Sequence, residues 1–243
     1  MHLPFFFEEN LPVQDEFILS EDSSKHIVQV LRMHESDQLN LTNGKGEVLK
    51  AFIVIADKKK TAVKITGRTF FAQRSGKVSI AVSLIKNKNR FEWFLEKATE
   101  IGVSEISPLI CRRTAKQHFH YERMKNILVS AMLQSQQSWL PLLHEPVKFE
   151  EKIKKSDHPN KFIAHCMEDP KNQLANEISG NHRSGNYQIQ HGDQIILIGP
   201  EGDFTKNEID LALQHNFIPV SLGKTRLRTE TAALVAAVLL LNK

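Results

Sequence analysis

The sequence predicts an α/β protein in two parts: a small β-barrel over residues 1–72, then an α/β domain over 77–243 on a mostly parallel sheet. Three observations predict this. The first part is filled by short apolar runs punctuated by turn residues, with a single short helix. From Lys77 onward, apolar runs of strand length alternate with helix-period segments, the pattern of a parallel sheet covered by helices. Further on, Ile195, Ile196, Leu197 and Ile198 stand in a row, which marks a strand buried on both faces. The run stops at Gly199-Pro200, and Thr205 with Glu208 forms a T-x-x-E capping box that starts a helix. A buried strand, a tight glycine loop and a capped helix describe the carboxyl edge of an α/β sheet, where ligands bind.

Taken in order, residues 5–7 and 17–19 read as short strands on either side of a turn at Pro12. Ser20 starts a short amphipathic helix carrying His26, Ile27, Val30, Leu31 and Arg32. Residues 38–42 alternate as a half-buried strand does. Asn43-Gly44 is the favoured type I′ pair and predicts a tight hairpin into a return strand at 48–55. A further strand is expected at 61–71, and residues 72–76, short, polar and ending in Gly76, are the expected linker.

In the second part the expected order is strand 78–85, helix 91–101, strand 105–110 and helix 120–137. Gly102 is placed to cap the first of these helices. A strand at 162–165 follows. Beyond it lies a polar stretch with one helix near 171–178 and a flexible loop running to 192. Residues 217–222 read as another buried strand, broken by Gly223. A polar loop, 224–228, then runs into a second capped helix that is apolar almost all round and so buried in the core or at a subunit interface.

Bulk composition narrows the class. With 41% hydrophobic and 25% charged residues the 243-residue chain has the make-up of a globular protein with a sizeable core. A net charge of +4 is mild, so its distribution matters more. From Lys58 to Arg90 there are ten Lys or Arg and no Asp or Glu, whereas the first twenty residues hold four acids and no Lys or Arg. Cys111 and Cys166 lie far apart without metal-ligand spacing, which predicts a reducing compartment, no disulfide and no metal. No signal peptide is expected, and the apolar run 232–241 is half the length of a membrane span. A cytoplasmic protein is the expectation.

The two glycine loops at neighbouring strand ends point to a pocket. Gly199, Pro200, Gly202, Leu222, Gly223 and Leu227 would give that pocket an apolar wall with accessible backbone. Glu201 and Asp203, and the lack of a G-K-[ST] sequence, argue against a phosphate cradle.

The segments I-G-P-E-G at 198–202 with Glu208, L-G at 222–223 and L-R-T-E-T-A at 227–232 closely resemble the ribosomal RNA small-subunit methyltransferase E family of SPOUT enzymes. So do H-x-x-x-V-L-R at 26–32 with Asp37, and K-A-T-E-I-G-V at 97–103. The chain departs from the family at Ser36, where glycine is usual, and at Leu133 and Gln137, which replace an acid and an arginine beside Gln134. The resemblance implies a PUA-like RNA-binding β-barrel followed by a SPOUT α/β trefoil-knot methyltransferase domain, acting as a homodimer. It implies S-adenosylmethionine as cofactor, bound by Leu197, Ile198, Gly199, Pro200, Glu201, Gly202, Leu222, Gly223, Leu227, Arg228 and Ala232. The implied reaction is methylation of uridine N3 in 16S ribosomal RNA of the small subunit.

For that chemistry Arg228 is the candidate to stabilise a uridine anion, with Arg226 as the alternative, and Glu201 and Glu230 are the candidate bases. RNA contacts are expected at His26, Arg32, Lys86, Lys88, Arg90 and Lys97. The plainer reading makes His26 and Arg32 surface residues, Arg228 a phosphate contact, and Lys97–Glu100 a helix-face ion pair. Two other functions fit the sequence: another knotted methyltransferase, acting on transfer RNA or a ribose 2′-oxygen, and a non-catalytic RNA-binding protein.

Overall fold

A computed structural model describes residues 3–115, 118–168, 171–179 and 192–242. The chain divides into two compact units: Met1–Gln73 with Val129–Leu140, and Arg74–Leu128 with Pro141–Lys243.

The first unit holds a five-stranded sheet of β1 (Phe5–Phe7), β2 (Glu16–Ile18), β3 (Gln38–Thr42), β4 (Glu47–Ile55) and β5 (Ala62–Phe70), in the order β1-β3-β4-β5-β2. Phe6, Leu39, Leu41, Leu49, Ile53 and Val63 form its core. Ser20 caps helix α1 (Glu21–Lys25), its hydroxyl accepting from the Ser23 amide. The helix widens into a π-helical turn, His26–Val30, which seats Ile27 fully in the core and releases the chain at Arg32 with φ 53°.

The expected type I′ hairpin is not formed. Thr42 pairs with Val48, so the loop is longer, and Gly44 and Gly46 take positive φ while Asn43 does not. Packing explains the choice: a Cβ on Gly44 would lie 2.8 Å from Leu140 Cβ, and one on Gly46 2.6 Å from the Trp139 ring. These contacts also place Val129–Leu140 in the first unit, although the sequence assigns it to the second part.

The second unit contains β6 (Val78–Ser83), β7 (Glu105–Ile110), β8 (Leu142–Leu143), β9 (Val147–Lys148), β10 (Asn160–Ala164), β11 (Asn172–Gln173), β12 (Gln194–Ile198) and β13 (Ile218–Ser221). The strand order is β11-β13-β10-β12-β6-β7-β8, with β9 also on β7, and every recorded pairing is parallel. Its helices are α2 (Lys88–Glu100), α3 (Tyr121–Gln134), α4 (Phe149–Lys155), α5 (Leu174–Ile178), α6 (Lys206–Gln214) and α7 (Thr229–Leu241), and the division between units falls within α3.

Every residue of the central strands β6 and β12 is buried. Ile195 and Leu197 pack with Phe149, Phe204 and Ile209 of the α4/α6 side. Strand alternation sends Ile196 and Ile198 to the other face, where α7 packs against both β12 and β6.

Several expectations shift. Helix α2 starts three residues earlier than expected because Asn87 caps it, accepting from the Asn89 amide. Helix α4 and the two-residue strands β8 and β9 were not expected from the sequence. Helix α7 has Arg228 at its N-cap and no side-chain cap bond, contrary to the expected second capped helix. The loop expected up to residue 192 falls largely outside the described residues. Among the described residues no helix is long and apolar enough to cross a membrane, and no cluster of His, Cys, Asp or Glu fits a metal ion.

Candidate active site

The carboxyl ends of β10, β12 and β13 open onto a cavity of about 930 Å³ within the second unit. One loop, after β12, turns at Asp203, whose φ is 61° and whose amide donates to the Pro200 carbonyl at 2.9 Å. The Asp203 carboxylate accepts from the Phe204 amide and, at 2.8 Å, from the Cys166 amide of the loop after β10. The second glycine loop is tied to the first by the buried Thr229 hydroxyl, which donates to the Gly199 carbonyl at 3.0 Å. Helix α6 follows with the complete Thr205–Glu208 capping box, and the other Glu208 oxygen accepts from the Arg112 amide at 2.8 Å. The site is therefore held by two side chains of its own wall, Asp203 and Thr229, and by Glu208 behind it.

The two loop glycines are required for different reasons. A Cβ at Gly199 would press on Phe204 at 3.1–3.2 Å. Gly223 has open space where a Cβ would sit, but its φ of +140° is one that side-chain-bearing residues rarely adopt. Gly202 has neither constraint: a Cβ there meets only the flexible Arg113 side chain at 3.3 Å.

Electrostatics at the cavity centre on Arg90. Its Nη1 lies 3.7 Å from Glu201 Oε1 and its Nε 3.7 Å from Glu230 Oε1. Glu201 is half-exposed on the cavity wall, whereas the Glu230 side chain is only 8% exposed and its Oε2 has no hydrogen-bond partner among the described residues. Lys171, Lys224, Arg226 and Arg228 also line the cavity. The Cys111 thiol lies outside it. Burial first, and then the charge of Glu208, push it up to about 12, so it is no nucleophile.

Comparison with known proteins identifies the family. A family model described as an RNA methyltransferase domain matches residues 72–241, and one described as an RNA methyltransferase PUA domain matches 19–66. Ribosomal RNA small subunit methyltransferase E of Rickettsia conorii is 28% identical over 233 residues, covering 95% of this chain and 91% of its own. The chain belongs to the ribosomal RNA small subunit methyltransferase E family. Among solved structures, a probable rRNA-methyltransferase from Porphyromonas gingivalis superposes with a TM-score of 0.85 at 33% identity, covering 97% of this chain and 96% of that one. The family member from Neisseria gonorrhoeae, bound to S-adenosyl methionine, gives 0.83 at 27% identity, covering 98% and 96%.

Of the residues expected to bind the family's cofactor, Ile198, Gly199, Pro200, Glu201, Leu222, Gly223, Leu227, Arg228 and Ala232 line the cavity. Leu197 is not among them and packs in the α4/α6 core. Gly202 is also absent from the wall, and its carbonyl accepts from Arg113 Nη1 at 2.6 Å.

The expected RNA residues are dispersed. His26 and Arg32 are exposed in the first unit, with His26 edge-on to Phe6. Lys86 and Lys88 are exposed ahead of and within the first turn of α2, while Arg90 turns into the cavity. Lys97 pairs with Glu96 and Glu100 at 2.7 and 2.8 Å, and these hydrogen bonds raise its pKa. Gln134 is exposed at the end of α3. Asp203, Thr229 and the loop after β10 were missed as site elements. The expected strand at 162–165 was the one signal for that loop, since sites form at carboxyl ends.

Proposed function

We propose that this chain transfers a methyl group from S-adenosylmethionine to N3 of a uridine in 16S ribosomal RNA. The observation that carries the reading is the cavity in which Arg228, Arg90 and Glu201 meet the apolar wall of Ile198, Val220, Leu222 and Leu227. Its volume lies within the range of small-molecule sites, about 300–1,000 Å³. The apolar wall and open loop backbone suit an adenosyl group, and Glu201 and Asp203 suit a cationic one. When bound, the cofactor supplies an electrophilic methyl group on sulfur.

A uridine N3–H is a poor nucleophile until its proton leaves. The Arg228 guanidinium, exposed at the cavity, is placed to hold the negative charge that then spreads to the carbonyl oxygens. Glu201 is the favoured proton acceptor because it lines the cavity, while Glu230 lies behind it as an anchor for Arg90.

The finer architecture belongs to the same proposal. The first unit is a PUA-like barrel presenting His26 and Arg32 to RNA, with Lys86, Lys88 and Lys97 as further contacts. The second is a SPOUT domain whose glycine loops thread a trefoil knot. Half-buried Leu234, Val235 and Leu239, with Val238 40% exposed, support a homodimer through α7. The protein acts in the cytoplasm. Calorimetry with S-adenosylmethionine tests the reading: saturable binding that Gly223→Val removes is expected, and no heat from the wild type leaves only an RNA-binding protein.

A further inference from the structure

The first unit carries two large aromatic side chains in an unusual position. Phe70 and Phe71, at the end of β5, are 67% and 51% exposed. Exposed aromatics on a mobile loop would mean little, but here the Phe71 backbone and the Phe70 ring are both held. The Phe71 amide donates to the Gly46 carbonyl at 2.8 Å, and the Phe71 carbonyl accepts from Trp139 Nε1 at 2.9 Å. The Phe70 ring meets the Trp139 ring edge to face, with centroids 6.1 Å apart and planes at 80°. Gly46 in turn closes on Trp139 so tightly that a Cβ would sit 2.6 Å from its ring. The backbone bridge Lys45–Trp139 completes the frame.

The surroundings select the occupant. Exposed Lys45 precedes Gly46, whose carbonyl holds the Phe71 amide, and exposed Arg68 lies two residues before Phe70. The nearest strand partner, Glu47, is already paired with Arg68 at 3.5 Å. A rigid aromatic face with cations beside it suits a flat, uncharged ring carried on a polyanion. Phe70, Phe71 and Trp139 all fall outside the 19–66 stretch that matches the PUA model, so this surface is additional to it.

We infer that Phe70 forms a stacking face for an unpaired base of the RNA substrate, with Trp139 as its rigid support. The inference rests on the RNA-methyltransferase reading and names where single-stranded nucleotides of that substrate dock.

The chain has two tryptophans, so Trp93→Phe in the full-length protein leaves Trp139 as the sole indole reporter. Titration with a single-stranded oligouridine should quench its emission, whereas an RNA duplex of equal length should not. Phe70→Leu keeps an apolar side chain but loses the aromatic face. It should weaken oligouridine binding on the order of tenfold while leaving the salt dependence, which counts phosphate contacts, unchanged. Unaltered S-adenosylmethionine binding in Phe70→Leu is the control for folding. Equal affinities of Phe70→Leu and wild type for oligouridine, without quenching, would overturn the stacking face alone. Conversion of a dimer to a monomer by Phe70→Leu would assign the patch to a second copy of the chain and equally overturn it. A wild type that binds neither S-adenosylmethionine nor RNA would sink the underlying reading as well.

Discussion

Replacing Arg90 with methionine leaves the Glu230 carboxylate, 8% exposed, without its ion-pair partner. At 3.7 Å and an effective dielectric of about 20, the Coulomb attraction between the two charges is about 4 kcal/mol. The Arg90 side chain is 36% exposed, so solvent screening reduces the loss to about 1–3 kcal/mol. Its second partner, Glu201, is 56% exposed and adds less than about 1 kcal/mol. Denaturant unfolding of Arg90→Met should therefore show about 1–3 kcal/mol of destabilisation. Adding Glu230→Gln removes the stranded charge, so the double variant should be more stable than Arg90→Met alone. Methyl transfer should stay impaired in that double variant, because the guanidinium beside Glu201 is still missing. Strictly additive losses in the cycle would refute the argument, since they would mean that Arg90 and Glu230 do not act on each other.

Arg228→Ala should slow methyl transfer on the order of 10²–10³-fold with little change in RNA or cofactor affinity, and Arg228→Lys should recover only part. Single-turnover rates across a pH series check this: the gap narrows as the uridine begins to ionise by itself, whereas a flat gap with matching loss of RNA affinity marks a phosphate anchor. Gly199→Ala, which pushes a methyl group against Phe204, should cost about 1–3 kcal/mol of stability, while Gly202→Ala should be nearly neutral; thermal unfolding of the pair compares them. At the opposite edge of the sheet, Glu105 accepts from His144 at 2.8 Å and lies 3.2 Å from the Lys152 ammonium. Burial pushes the Glu105 pKa up, but the His144 hydrogen bond and the Lys152 and His144 charges outweigh it and bring the carboxyl down to about 2 from 4.5. A folded value below the unfolded one contributes stability above the unfolded pKa and loses it as pH falls through the folded pKa. The full shift corresponds to about 3 kcal/mol and, after screening, about 1–2 kcal/mol. Acid unfolding should show Glu105→Gln less stable by that amount at neutral pH and converging with wild type between about pH 4.5 and 2.

The parts legible in the sequence were those with strong local causes. Four consecutive apolar residues at 195–198 leave little alternative to a buried strand, and Thr205 with Glu208 forms the complete capping box. Much of the cavity wall followed because those residues are contiguous in the two glycine loops, whereas the loop after β10 did not. What escaped depends on distant partners. Asn43-Gly44 carries a tight-turn signal, but Trp139 and Leu140, nearly a hundred residues on, set the loop's shape. Arg90 sits in a basic run and reads as a surface cation, yet its position on α2 brings it to Glu201 and Glu230, more than a hundred residues away. Leu197 and Ile198 look alike in sequence, and only strand alternation between two packed faces separates core from cavity. Thr229 reads as part of a helix start, while its hydroxyl serves the Gly199 carbonyl.

The central claim is tested most directly by incubating the purified protein with S-adenosylmethionine and small ribosomal subunits from a strain lacking its gene. The 16S RNA is then digested to nucleosides and analysed by mass spectrometry. The account predicts one 3-methyluridine per subunit, formed only when both protein and cofactor are present and formed far more slowly with Arg228→Ala. A methyl group on a ribose oxygen, or on transfer RNA but not 16S RNA, would contradict it.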